Sequence, residues 1–401
     1  MDKKLNRNIP VLYMFSFLWL SMVIIPVIVP FFATKGLSLA QVYYLQAIFA
    51  FVVVICEVPS GYVADVLGRK NALVAGSIFH ALGFTWLNFS DDFADLVVFE
   101  TLVGIGISLF SGADLSLLYD SQVALGQSPD RKSRGIANLR FVKSVAEGMA
   151  ALLGGYLIAY SFDAVVVANT VFAWGPLLLS GFLTEAPFAR MEANQHFGNL
   201  KQIVRHMYID DRLLRLICLN ITFFGLATFY VVWMLQPYWQ EQTVPLTAFG
   251  MLWAAQSFVV AFASKIAMPL EQRFGARPVL VLMGLLPMIG YMGMAGFGGT
   301  LGIFLSFSFF VSRGLNQVIL SDALNTRVPS KFRATANSIT SFMFRGIYIV
   351  TGPIVGLLIE SFGMHTTLAV LGAVVGIFFV LYLLPLLGEI RIVQVREEIK
   401  T

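Results

Sequence analysis

The sequence predicts an all-α membrane protein with twelve transmembrane helices, and composition, apolar runs and loop charge all favour it. Of its 401 residues, 58% are hydrophobic and only 12% are charged, and the mean hydropathy is +0.78. Soluble globular domains carry about 25% charged residues, so this composition excludes a soluble fold. A spanning helix needs about 20 mostly apolar residues, and twelve such spans with short loops fill the chain.

Apolar runs divide the chain into two sets of six predicted spans. The first run is too long for a signal-peptide core and lacks a small-residue cleavage site, so we expect it to be retained as span 1. Spans 1–12 are predicted at residues 10–32, 41–64, 72–88, 96–122, 138–160, 164–184, 213–237, 246–270, 278–297, 301–324, 336–360 and 364–387.

The two sets predict two pseudo-symmetric six-helix bundles. We expect an N-terminal bundle over residues 1–184, a cytoplasmic linker over 185–212, a C-terminal bundle over 213–387 and a cytoplasmic tail over 388–401. A weak internal repeat supports this division, because the Arg134 to Asn138 stretch before span 5 recurs as Arg333 to Asn337 before span 11.

The linker has apolar residues at helical spacing, with Lys201 and Arg205 between them. This pattern is typical of an amphipathic helix lying on the inner leaflet, and a flexible linker is the alternative. The apolar positions are Phe197, Leu200, Ile203, Val204 and Met207.

Loop charges orient the spans in the membrane. The loop lysines and arginines fall on one side of the predicted topology, with Lys35 the exception, while the opposite loops carry acids such as Asp91 and Asp163. Because cations mark the cytoplasmic side, both termini are predicted to be cytoplasmic, in a bacterial inner membrane. The same loop cations account for the pI near 9.0, which therefore does not indicate a nucleic-acid partner.

Ionisable side chains within the spans direct the functional hypothesis, because each costs about 2.5–3.5 kcal/mol at a helix centre and is seldom left facing lipid. We favour Asp114 in span 4 as the proton-carrying residue, followed by Glu147 and Glu57, since a partly desolvated carboxyl can exchange protons with a cavity. The full set is Glu57, Glu100, Asp114, Asp120, Arg140, Lys143, Glu147, Lys265, Arg313, Asp322, Arg345 and Glu360.

A structural charge network is predicted where spans 4 and 5 meet. Arg140, Lys143 and Glu147 are spaced i, i+3 and i+7, so they share one face of span 5. Asp114 and Asp120 of span 4 lie at the same depth in the membrane as these residues of span 5. We therefore expect Asp120 to pair with Arg140 and Asp114 to pair with Lys143.

Two arginines near the middle of spans 10 and 11 predict capture of an anionic group. Arg313 shares a face with Asn316 and Gln317, and Arg345 lies one turn from Tyr348. A guanidinium stays charged and binds carboxylate or phosphate through two hydrogen bonds. The alternative is that acids of the first bundle satisfy both arginines. The further candidates for substrate binding are Asn220 and Gln256, for which helix–helix contacts are the alternative.

The stretch between spans 2 and 3 reads Gly61-x-x-x-Asp65-x-x-Gly68-Arg69-Lys70. It resembles the signature of the major facilitator superfamily, found in the loop between helices 2 and 3. The resemblance implies two bundles that rock around a central substrate site. It also implies that this loop gates the cytoplasmic side, with Asp65 holding a contact between bundles and Arg69 holding an acid.

Two positions depart from the pattern of that superfamily. Glu100 stands where an arginine usually precedes a Gly-x-Gly in helix 4, and span 5 lacks the proline that many proton-coupled exporters carry. Neither a G-x-x-x-x-G-K-[ST] phosphate loop nor an H-E-x-x-H sequence occurs, which argues against ATP-driven transport and against an enzyme. We expect no cofactor and no bound metal.

The combined prediction is a monomeric secondary transporter, an antiporter that exports a small amphipathic or anionic compound by alternating access and is coupled to protons. Its partners are then a small-molecule substrate, protons and the lipid bilayer. One alternative is proton symport that brings an organic anion inward. The other is a membrane sensor that keeps the carrier fold without transporting.

Overall fold

Apolar runs of this length fold as helices because lipid offers the backbone no hydrogen-bonding partner, so each segment must pair its own N–H and C=O groups. The computed structural model describes residues 2–187, 203–329 and 332–390. Within these ranges every regular element is helical. The description leaves out the side chains of Val58, Tyr62, Val63, Asp65 and Ala334.

The first half of the chain supplies the helices of spans 1–6. Two helices joined by the short 3₁₀ turn Ile25–Val27 make up span 1, and two further helices make up span 4. The bounds are α1 Asp2–Leu20, α2 Ile28–Thr34, α3 Leu39–Val66, α4 Arg69–Leu87, α5 Phe93–Phe110, α6 Ala113–Ala124, α7 Pro129–Leu157 and α8 Phe162–Ser180.

The second half supplies spans 7–12, one helix for each. The last helix continues through a π-helical turn at Phe379–Leu383 to residue 390. The bounds are α9 Arg212–Glu241, α10 Leu246–Phe274, α11 Ala276–Gly296, α12 Gly299–Arg327, α13 Arg333–Phe362 and α14 Met364–Phe378.

The predicted all-α membrane architecture is confirmed. Ten segments of the described chain are long and apolar enough to cross a membrane. The helices α4 and α7, predicted as spans 3 and 5, are not among these ten, although each is helical over all but the last one to three residues of its predicted range. Charged residues within α7, including Arg140, Lys143 and Glu147, lower its mean hydropathy.

Spans 1 and 4 are broken, whereas the apolar pattern predicted each as one continuous helix. In span 1 the helix stops at Leu20 and resumes past Pro26, a residue that has no N–H to donate. In span 4, Ser111 is extended at ψ 109° and Gly112 is left-handed at φ 79°. Glycine takes this backbone conformation without the steric cost that other residues have.

The described chain forms two compact units. The first comprises Met1–Glu192 with Val244–Ala255, and the second comprises Ala193–Thr243 with Gln256–Thr401. In the first unit α5 packs against α3 and α4, and α1 packs against α7 and α8. Small residues bring α4 and α5 close, since a Cβ on Gly106 would lie 2.9 Å from the His80 amide nitrogen.

In the second unit α11 packs against α12 and α14, while α9 packs against α12 and α13. Tyr291 of α11 is fully buried. Its hydroxyl donates to the Ala227 carbonyl of α9 at 2.5 Å, and its ring meets Phe309 of α12 edge-on with 4.7 Å between centroids. This tyrosine therefore joins three helices of the unit.

The predicted amphipathic helix of the linker falls partly outside the described residues, which include neither Phe197 nor Leu200. Its described end is helical from residue 203 and continues as a π-helical turn at His206–Asp210. Ile203 and Met207 are buried, and this turn packs against α9. At this end Ile203 and Met207 are therefore covered by protein, whereas Val204 of the same predicted face is exposed.

Asn8 ties the start of α1 to two other parts of the first unit, and its side chain is fully buried. Its amide donates to Ser121 Oγ of α6 at 2.9 Å and to the Thr184 carbonyl beyond α8 at 2.7 Å. The Thr184 N–H donates back to Asn8 Oδ1 at 2.9 Å. One side chain thus satisfies polar groups of two other segments.

We expect Asn8→Ala to lower the free energy of unfolding by about 1–3 kcal/mol, because it leaves buried polar groups without partners. Thermal unfolding of the purified protein in detergent measures this. Asn71→Ala is the matched control, since the exposed Asn71 amide donates to the Leu67 carbonyl four residues earlier. Equal melting temperatures for the two variants would contradict the assignment.

Candidate functional site

The turn between α3 and α4 is held by a carboxylate from a distant part of the chain. Gly68 precedes α4 with φ 100° and ψ 151°. Glu185, which follows α8, accepts hydrogen bonds from the Arg69 N–H at 3.0 Å and from the Lys70 N–H at 2.8 Å. These amides at the start of α4 have no partner within the helix, and a negative charge is favourable there.

Gly68 is required at this turn for space as well as for backbone conformation. A Cβ on Gly68 would lie 2.6 Å from Glu185 Oε2. Gly61, the other glycine of the motif, has no described atom within 4 Å of the position where its Cβ would be. The predicted role of Asp65 falls on a side chain outside the described residues.

Arg69 forms an ion pair with Asp120 of α6. The predicted pair of Asp120 with Arg140 is therefore wrong, and the Arg140 side chain is exposed. The prediction compared spans 4 and 5 alone, whereas the partner of Asp120 lies at the start of α4.

Asp114 is the centre of a buried polar cluster in the first unit. It lies in the first turn of α6 and is 2% exposed. Lys143 Nζ of α7 is 2.6 Å from its Oδ2, and Ser16 Oγ of α1 donates to the same oxygen at 3.1 Å. The Leu115 N–H donates to Oδ1 at 2.7 Å. The pairing of Asp114 with Lys143 predicted from spacing is present.

This cluster holds Asp114 as an anion. The helix break at Gly112 places Asp114 at the N-terminus of α6, where the helix dipole favours negative charge. The Lys143 ammonium also lies 5.5 Å from the centre of the Trp19 ring, a position that suits a cation. Lys143 is 26% exposed at its side chain, so a molecule could reach the pair from that side.

The other acids predicted to carry protons also lie in the first unit. Glu147 is exposed on α7, and Glu57 is half-buried on α3. The structure reveals a further buried acid, Glu100 of α5, which accepts a hydrogen bond from the Gln46 amide of α3 at 2.7 Å. Sequence reasoning noted Glu100 as a departure from a family pattern but gave it no role.

The candidate anion-binding residues lie in the second unit. On α12, Arg313 is half-buried, Asn316 is buried and Gln317 is exposed. Asn220 of α9 donates to the Leu216 carbonyl at 2.7 Å and to the Tyr382 carbonyl at 3.0 Å. The Asn220 Nδ2 therefore serves a helix contact, while Oδ1 has no hydrogen-bond partner among the described residues.

Arg345 stands on α13 beside an aromatic cluster formed by α9 and α13. The Phe229 ring meets Phe344 at 5.4 Å and Tyr348 at 4.8 Å, and the Tyr230 ring stacks on Tyr348 at 5.7 Å. Arg345 itself is half-buried. Arg345 directly follows Phe344 along α13, in the same unit as the cluster.

Gln256 of α10 is 1% exposed, yet neither Nε2 nor Oε1 of its side chain has a hydrogen-bond partner within the described part of the protein. An unpaired buried carboxamide costs about 1–3 kcal/mol. A polar ligand that both accepts and donates would satisfy it.

Three site residues escaped sequence reasoning, namely Ser16, Gln46 and Glu185. Ser16 and Gln46 are single polar residues within apolar runs, and nothing nearby in the sequence identifies their distant partners. Glu185 gave a usable signal, because an acid directly after span 6 is near the membrane surface at which α4 begins. Its partner still had to be found in three dimensions.

We expect Gly68→Ala to destabilise the protein by about 1–3 kcal/mol, because alanine must adopt a strained conformation and meets the Glu185 carboxylate. Gly61→Ala in the same motif is the control. Gly61 is helical with open space around it, so alanine there should keep or slightly raise stability. The melting temperatures of the two variants decide this, and equal losses would refute the role of Gly68.

Curated relatives of the chain are membrane transport proteins. YxaM of Bacillus subtilis strain 168, an uncharacterized MFS-type transporter, is 23% identical over 371 residues that cover 89% of this chain and 90% of YxaM. The multidrug resistance protein MdtH of Baumannia cicadellinicola subsp. Homalodisca coagulata is 25% identical over 234 residues, covering 57% of this chain and 54% of MdtH.

Solved structures support the same fold. A mutant of the nucleoside transporter NupG superposes with a TM-score of 0.80 at 12% identity, covering 94% of this chain and 99% of NupG. The model of the Major Facilitator Superfamily matches residues 11–327. The resemblance carried by the Gly61 to Lys70 motif is thereby confirmed, and with it a transporter rather than an enzyme. The chain belongs to the major facilitator superfamily.

Proposed function

We propose that the protein exports small amphipathic compounds in exchange for protons, by alternating access, with Asp114 as the proton-binding residue. The buried Asp114–Lys143 pair is the observation that carries this proposal. The relative MdtH, named a multidrug resistance protein, supports the direction of transport. In this proposal the protein acts as a monomer in the inner membrane, with both termini cytoplasmic.

Exchange follows from the charge of the pair. A proton that binds Asp114 Oδ2 neutralises the carboxylate and breaks the ion pair, while Lys143 keeps its own proton and charge. A cationic amphipathic compound needs the carboxylate in its charged form. The proton and the compound then compete for Asp114, and each enters only when the other has left, which is antiport.

Within the second unit, ring faces that suit an apolar group are present in the cluster of Phe229, Tyr230, Phe344 and Tyr348. Binding sites for small molecules are mostly apolar with a few placed polar groups. Gln256 offers a buried carboxamide to such a compound. An aromatic substrate with one hydrogen-bonding group fits these residues.

An anionic substrate leads to the opposite coupling. When Asp114 takes up a proton, Lys143 is left as a buried cation without its counter-ion, and an organic anion would compensate it. Proton and anion then bind together, which is symport. The same pair therefore favours antiport for cationic compounds and inward symport for anions. Arg313 and Arg345 are separate proposed anion-binding residues of the second unit.

The turn at Gly68 is the proposed gate. Arg69 and Asp120 link α4 to α6, and Glu185 fixes the start of α4. In this proposal the turn has two arrangements, one with these charged contacts made and one with them broken, and the two differ in free energy. Asp65 and Lys70 belong to the same proposed gate.

In proteoliposomes with a pH-sensitive dye inside and an imposed proton gradient, we expect an amphipathic substrate to trigger proton movement opposite to its own. Asp114→Asn should abolish this movement because asparagine cannot take up a proton. Asp163→Asn, at an exposed acid, is the control and should leave it unchanged. Proton movement in the same direction as an anion supports the symport alternative, and full coupling in Asp114→Asn refutes Asp114 as the carrier.

We expect Arg345→Gln to raise the KM for an organic anion at least tenfold, since a charge-assisted pair contributes about 1.5–3 kcal/mol. Uptake of a neutral amphipathic compound should be unchanged. Arg273→Gln, at an exposed position near the end of α10, is the matched control. An equal effect on both substrate classes would indicate that Arg345 stabilises the fold instead of binding the anion.

A further inference from the structure

Glu100 and Gln46 form an isolated buried pair between α5 and α3. Glu100 is 4% exposed and Gln46 is 5% exposed, and the Gln46 amide donates to Glu100 Oε1 at 2.7 Å. Within the described residues no lysine, arginine or histidine forms an ion pair with Glu100. The acid is therefore in contact with a neutral amide.

Among the side chains that the structure describes, no cation compensates Glu100. The titratable groups of α4 are Arg69 and Lys70 at its start and His80 farther along the helix. His80 contacts Gly106 of α5, about 9 Å along the helix from Glu100, and its ring packs on Phe84 and Phe110. On α3, Tyr43 lies one turn before Gln46 and Glu57 three turns after it. The nearby loop cation Lys35 pairs with Asp91.

A carboxylate in such a place is much less favourable than a neutral carboxylic acid. Taking a charge out of water costs several kcal/mol unless a counter-ion and further hydrogen bonds replace the water. One amide N–H is a weak replacement. Asp114 is the opposite case, because it has Lys143, Ser16 and a helix N-terminus around it.

We propose that Glu100 is a second proton-binding site, separate from Asp114, and that its protonation changes the contact between α3 and α5. When Glu100 is charged, it accepts a hydrogen bond from the side-chain N–H of Gln46. When Glu100 is protonated, the Gln46 carboxamide rotates so that its Oε1 accepts a hydrogen bond from the Glu100 O–H. Helix α3 runs unbroken from Leu39 to Val66, so the helix that senses this proton also leads into the proposed gate. This role in gating rests on the proposed function.

Infrared spectroscopy of the purified protein in lipid tests proton binding without any substrate. We expect a carboxylic acid C=O band near neutral pH that is absent in Glu100→Gln, which is isosteric with the neutral acid. Glu241→Gln, at an exposed acid, and Asp114→Asn should keep the band. A band unaffected by Glu100→Gln, or no such band in the unsubstituted protein, would overturn the proposal.

Gln46→Leu provides a second readout should Glu100→Gln fail to fold. Loss of the Gln46 hydrogen bond should move the C=O band to higher wavenumber, and an unmoved band would show that the two residues do not interact.

Transport then tests the gating step. Substrate-driven proton movement in proteoliposomes should fall at least tenfold in Glu100→Gln, and full activity would overturn that step.

These measurements separate the two proposals. The infrared band reports on Glu100 even if the protein moves no protons with any substrate. Absence of coupling in the unsubstituted protein together with a band that depends on Glu100 refutes the proposed function and upholds the proton site. Coupling that depends on Asp114, without an infrared band from Glu100, upholds the proposed function and refutes the proton site at Glu100.

Discussion

Backbone hydrogen bonding in lipid is the constraint on which this structure depends, since every N–H and C=O must find a partner within the protein. A helix provides these partners along its length, but not for the first N–H groups and the last C=O groups. At two glycines, Gly68 and Gly112, the chain leaves the helix and starts a new one, and in both places a carboxylate receives the exposed amides. Glu185 does so for α4 and Asp114 for α6. The ion pairs Arg69–Asp120 and Asp114–Lys143 lie at the same two breaks. Each break therefore fixes both the direction of the chain and the position of a charge.

Charge compensation then distinguishes these acids from one another. Asp120 has Arg69 and Asp114 has Lys143, and neither acid can lose its charge without leaving a cation uncompensated. Glu100 has an amide instead. The proposed gate and the proposed coupling site are thus both ion pairs that end on α6, six residues apart on a twelve-residue helix. A displacement of α6 would strain both pairs at once.

The sequence was sufficient for the architecture because apolar length and loop charge are local properties. It predicted the spans, the motif at Gly68 and the pair of Asp114 with Lys143, whose positions follow from helical spacing within neighbouring spans. It failed at Gly112, since a lone glycine in an apolar run gives no sign that the helix stops there. The partner of Asp120 was wrong for a different reason, because the comparison of spans 4 and 5 did not include Arg69 at the start of α4. The roles of Glu185 and Gln46 depend on contacts more than 50 residues apart along the chain, which periodicity does not encode.

Two proton sites would change what drives transport. With Asp114 alone, one proton exchanged for one monovalent cation moves no net charge, so the pH gradient is the whole driving force. If Glu100 also binds and releases a proton in each cycle, one positive charge crosses per cation exported. The membrane potential then adds about 2.3 kcal/mol for each 100 mV. For an anion carried by symport, one proton leaves the cycle electroneutral and two make it electrogenic. The number of protons bound, more than the nature of the substrate, would therefore decide whether this transporter responds to voltage.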